Sequence, residues 1–84
     1  MWDAKTCSLA ASGGHLSVLQ WARQNGCPWT SRTCFEAAKM GHLECLQWAR
    51  LNGCAWNKKV FYVALARGHS EISKWLIENG CPTL

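Results

Sequence analysis

Three histidines and six cysteines are the side chains of this 84-residue chain best suited to hold a metal, bridge or attack a substrate. His15, His42 and His69 stand 27 residues apart, and so do Cys27, Cys54 and Cys81. Cys7 and Cys34 share that spacing, and Cys45 falls outside it. A zinc ion needs its ligands about 2.0–2.3 Å away, so that they nearly touch one another. A disulfide needs Cα atoms within about 7 Å. A cysteine nucleophile needs a base, an orienting group and an oxyanion hole. His42 and Cys45, three positions apart, come nearest to the last arrangement, and nothing beside them supplies the other parts. Whether any of these groups meet depends on the elements that carry them.

Those elements repeat. Trp2, Trp29 and Trp56 keep the 27-residue spacing, as do Trp21, Trp48 and Trp75. Asn25-Gly26-Cys27 returns as Asn52-Gly53-Cys54 and Asn79-Gly80-Cys81, and Gly14-His15 as Gly41-His42 and Gly68-His69. Fixed-period self-similarity marks a repeat architecture. Each unit reads as two short helices. Asp3, Thr30 and Asn57 are good N-cap types at the start of the first. That helix runs through Ala10-Ala11, Ala37-Ala38 and Ala64-Leu65, small residues that allow close approach of neighbours. The Gly-His step ends it and starts the second. Leu16, Val18, Leu19, Trp21 and Ala22, matched by Leu43, Cys45, Leu46, Trp48 and Ala49, give the second helix one broad apolar face. Asn-Gly closes it in the left-handed conformation.

A helix pair this short buries its apolar face only by stacking, and three copies suffice for that. We expect one domain over 1–84, with repeats at about 2–28, 29–55 and 56–82. Equivalent residues then lie one helix-packing distance apart, about 8–10 Å. Neither the histidine column nor the cysteine column can close on one ion or one bond at that separation. Each imidazole is expected to bond the turn between its helices, and the cysteines to be buried free thiols. Pairs between non-equivalent positions, such as Cys45 with Cys54, stay open. The tryptophans read as core ladders, or as staples just ahead of the first helix. No cofactor, metal or catalytic activity is expected.

Composition sets further bounds. No run of 18 apolar residues is present, so no membrane-spanning helix is expected. Met1-Trp2-Asp3-Ala4-Lys5 lacks the order of a secretory signal, which points to the inside of a cell, in the cytoplasm.

Gly41-His42-Leu43-Glu44-Cys45-Leu46 resembles the Gly-His-Leu-Glu-Val-Val start of the second helix of an ankyrin repeat. Ala37-Ala38 is similar to the paired alanines of the first helix, and Ile77-Glu78-Asn79-Gly80 to the glycine-ended close of the second. The usual repeat has about 33 residues, so the connection that forms the β-hairpin finger is shortened here. The short Cys-Pro-Trp form is similar to ankyrin-like arrays of giant DNA viruses and some protists. The resemblance implies an all-α solenoid of three helix-turn-helix repeats, six helices in all, without fingers. It implies a protein-binding module, in host cytoplasm if viral.

Positions alike in every copy build the stack, and positions that differ are free to meet a partner. The first helices differ most. In ankyrin repeats these helices line the concave face, which makes Lys5, Leu9, Arg32, Phe35, Glu36, Lys39, Lys58, Lys59, Tyr62 and Arg67 the candidate partner-binding residues. The first-helix segments carry the entire +4 excess, while the second helices balance. An acidic protein surface is the expected partner, with Phe35 and Tyr62 as aromatic anchors. The alternatives are nucleic acid on the same basic face, which is less favoured, and weak self-association through uncapped repeat ends.

Overall fold

A computed structural model describes residues 3–84, which form six helices of nine residues each and no strand. They are α1 (Ala4–Ser12), α2 (Leu16–Gln24), α3 (Ser31–Lys39), α4 (Leu43–Leu51), α5 (Lys58–Ala66) and α6 (Ser70–Glu78). The result is a three-repeat all-α solenoid. The staple expected of Trp2 lies outside the described residues.

The same local chemistry sets each unit. Asp3, Thr30 and Asn57 take extended backbone conformations and accept a hydrogen bond from the amide two residues on, at 3.0, 3.2 and 3.0 Å. Such caps contribute about 1 kcal/mol each. All six helices close with one pattern. In α1 the His15 amide donates to Ala10 O at 2.9 Å and the Gly14 amide to Ala11 O at 3.2 Å. In α2 the Cys27 amide donates to Ala22 O at 3.0 Å and the Gly26 amide to Arg23 O at 3.1 Å. These are Schellman ends, which need a residue at positive φ just after the helix. A glycine with positive φ fills that position every time.

The first helices form the tight column. α1 packs on α3 and α3 on α5, whereas α2 and α4 touch only slightly. Ala10, Ala11, Ala37 and Ala38, none more than 5% exposed, permit the close approach. A stack tight on one side and loose on the other curves toward the tight side. Leu19, Leu46 and Leu76 of the second helices fill the space behind, fully buried.

Two expectations need correction. His42 and His69 reach the preceding unit rather than their own turn, whereas His15 lies against Gly13 of its own turn. His42 covers Gly14 so closely that a Cβ there would lie 2.7 Å from the ring, and His69 covers Gly41 at 3.0 Å. His69 Nε2 bonds Lys39 O of the preceding unit at 3.0 Å. Trp21, Trp48 and Trp75, expected as a core ladder on the second helices, are not core. Trp29, Trp48, Trp56 and Trp75 are half-buried and Trp21 is 55% exposed. An indole is too large for a column whose spacing is set by alanine, so the rings lie along the outer side and pack against the core from there.

Among the described residues, no helix is long and apolar enough to cross a membrane.

Candidate functional site

The first-helix side carries two depressions. One, of about 550 Å³, runs between α1 and α3 and is floored by Ser8, Ser12 and Ala4. Lys5, Leu9, Arg32, Glu36 and Lys39 form its walls, which brings together five of the ten residues chosen from sequence. The second, of about 290 Å³, lies between α3 and α5 and adds Phe35 and Lys59. Thr30 and Arg32 line both, so the two depressions read as one continuous groove with Arg32 at its waist.

Helix geometry explains the placement. Lys5 and Leu9 are four apart on α1, and Arg32, Glu36 and Lys39 follow at i, i+4 and i+7 on α3. That spacing puts each set on one helix face. Arg32 pairs with Glu36 at 3.2 Å, with the arginine side chain 70% exposed and the glutamate 12%. An exposed i,i+4 pair adds only a few tenths of a kcal/mol to stability. Its larger effect is local charge. Glu36 neutralises one cation, and Lys5, Lys39 and Lys59 leave the groove basic.

The other three candidates lie outside the groove lining. Lys58 is exposed at the start of α5, and Arg67 is exposed at its C-cap. Tyr62 is 48% exposed, sets its ring edge to face on Phe61 at 5.2 Å, and donates its hydroxyl to Thr83 O. Its polar end is therefore tied to the chain beyond α6.

Thr30 and Asn57 line the groove and are absent from the sequence-based set. Their role as N-caps accounts for them fully in sequence terms and hides the second role. Position alone is the signal that finds them, because an N-cap stands at the mouth of the helix whose face is under consideration.

A second arrangement is also missing from the sequence reading. The Arg23 guanidinium lies 4.2 Å from the centre of the Trp29 ring, and that of Arg50 3.9 Å from Trp56. Each arginine also donates to the Cys27 or Cys54 carbonyl. Trp29 meets Trp48 edge to face at 5.7 Å, and Trp56 meets Trp75 at 6.2 Å. A cation from one unit thus stacks on one indole of the next, and that indole meets a second within its own unit. Its sequence signal is an Arg-to-Trp spacing of six residues, found twice.

The thiols are all free and all buried. Burial, then the bond to Cys27, pushes the Cys7 thiol up to about 12. Burial likewise raises Cys45 and Cys81. Neutral, enclosed thiols are poor nucleophiles. Among the described residues, no three histidine, cysteine, aspartate or glutamate side chains cluster as ligands for a metal ion.

The model of one protein family, described as ankyrin repeats (many copies), matches residues 34–77. No curated protein matches the chain.

Proposed function

Because this chain belongs to the ankyrin repeat family, whose members generally mediate protein–protein interaction, we propose that it is a binding module whose first-helix groove holds an acidic segment of a partner protein. The observation that carries this reading is the groove itself: basic along both walls, continuous across three repeats, and floored by small side chains. An extended acidic segment runs along it with its carboxylates on Lys5, Arg32, Lys39 and Lys59. Phe35 supplies an apolar anchor at the α3–α5 step, in a setting of polar neighbours typical of binding hot spots. Lys58, Tyr62 and Arg67 extend the same side beyond the groove. The 27-residue spacing supports placing the chain with the short Cys-Pro-Trp form of these repeats.

A fluorescently labelled glutamate-rich peptide, studied by stopped flow, tests the reading. The association rate is expected to fall with added salt, and to fall about tenfold in an Arg32→Glu/Lys59→Glu variant at low salt. Phe35→Ala is expected to act mainly on dissociation. Equal rates for the wild type and the charge-reversed variant would overturn the electrostatic reading. Tighter binding to single-stranded or duplex DNA than to the peptide, with a steep salt dependence, would replace the protein partner by nucleic acid.

A further inference from the structure

Inside the first repeat, sulfur rests on sulfur. Cys7 Sγ lies 3.3 Å from Cys27 Sγ, and both residues are 0% exposed. Cys7 belongs to α1, and Cys27 follows the glycine that closes α2. The same two positions recur one unit later as Cys34 of α3 and Cys54 after α4, both 0% exposed. Each second sulfur also donates to the backbone at the N-cap of the first helix: Cys27 to Asp3 O and Cys54 to Thr30 O, both at 3.3 Å. In the third repeat Phe61 stands where Cys7 and Cys34 stand, and Cys81 keeps only the backbone contact, to Asn57 O at 3.6 Å. Phe61 shows that carbon fills this place. Cysteine at this place is therefore not a packing requirement, yet two of the three repeats carry cysteine at both positions.

We propose that Cys7–Cys27 and Cys34–Cys54 are redox-modification sites, each closing a disulfide within its repeat by exchange with a small-molecule disulfide such as oxidised glutathione. A bridge is about 2.0 Å long, so closure asks the sulfurs to approach by about 1.3 Å. One protein thiolate attacks a sulfur of the oxidant, the glutathione S–S bond breaks, and one glutathione thiolate leaves. The second protein thiol gives up its proton and attacks the protein sulfur of the mixed disulfide, expelling the second glutathione. Each closure takes two protons and two electrons from the protein and converts one oxidised glutathione to two thiols. Cys54 is the attacking sulfur of its pair. The bond donated by Cys34 favours its thiolate, with Arg50 and Arg23 adding to the effect, and the same bond raises Cys34. Exchange proceeds through local opening, since the sulfurs are enclosed. The equilibrium is independent of that route. The proposal does not depend on the binding reading: none of the four cysteines lines the groove, and only the Cys54 contact with Thr30 O reaches a residue that does.

The test equilibrates the full chain in glutathione buffers of graded ratio, starting from both the reduced and the oxidised side. Remaining thiols are then alkylated in denaturant and the peptides mapped. The expected result is two bridges, Cys7–Cys27 and Cys34–Cys54, with Cys45 and Cys81 alkylated. The bridged form should melt about 20 °C higher or more, the effect of constraining two loops of 20 residues. Six alkylated thiols in fully oxidised glutathione, glutathione adducts without bridges, or a bridge through Cys45 or Cys81 would each overturn the proposal. In Cys54→Ser the first bridge should still close and Cys34 should be alkylated. If that variant does not fold, the wild-type map decides alone.

Discussion

Residues 29–55 and 56–82 share one backbone and differ in what they attach to. Both open on an N-cap bond, carry two helices of nine residues, and close each helix with the same glycine end. The parts that shape the backbone are thus nearly invariant. The parts that join units are not. Arg50 of the second repeat clasps Trp56 of the third, whereas the equivalent places 77 and 83 hold isoleucine and threonine. Ala38 is covered by the following helix, but Leu65 in the same position is 55% exposed, and Ile77 is 58% exposed. Cys34 and Thr33 give way to Phe61 and Val60. Cation and aromatic ring are kept together or lost together, which is the behaviour of one junction device. A solenoid's stability is a sum of unit terms and junction terms, and in this chain the two sums are written in different residues.

Three substitution pairs sharpen that division, each read by urea unfolding. The largest effect is expected where both terms meet. Gly41→Ala puts a side chain at φ +81° and 3.0 Å from the His69 ring, while Gly68→Ala meets the same backbone demand at +72° with nothing within 4 Å. The first should cost about 2–3 kcal/mol and the second about 1 kcal/mol. Equal losses would mean that the histidine contributes nothing to the junction. Next, Arg50→Ala removes a stacked cation and a carbonyl bond, for about 1–2 kcal/mol. Ile77→Ala, exposed, should stay within about 0.5 kcal/mol. A large loss at Ile77 would break the contrast. The smallest expected change is a gain. The Thr33 hydroxyl is buried and makes no hydrogen bond, while Val60 fills the equivalent place without a polar atom. Thr33→Val should stabilise the chain by about 1 kcal/mol, and Val60→Thr should destabilise it by a similar amount.

The backbone is largely legible in the sequence. The caps Asp3, Thr30 and Asn57 act through atoms two residues away, and the Asn-Gly closures through atoms within one turn, so local sequence carries them. The groove is half legible. Variation between copies marks the free face and so identifies Lys5, Leu9, Arg32, Glu36 and Lys39, whereas capping already explains Thr30 and conceals its place in the lining. What joins residues far apart in the chain is hidden. The bond from His69 to Lys39 crosses 30 residues and the contact of Cys7 with Cys27 crosses 20. Comparing only equivalent positions, 27 apart, looks along the columns and misses contacts between them. The tryptophans mislead for a related reason. Strict recurrence says that a residue matters to the stack, but not on which side of it the residue sits.

The uniform nine-residue helix restricts how such a chain can change in length. One residue inserted within a helix turns everything after it by about 100° around the axis. Leu46 would swing out of the interior, and an insertion just after Glu44 would carry the later buried residues of α4 off their face. Copying an entire unit leaves every side chain facing as it did. Growth by duplication is therefore the mild route for this architecture and growth by single insertions the harsh one, a constraint imposed by the pitch of the helix itself.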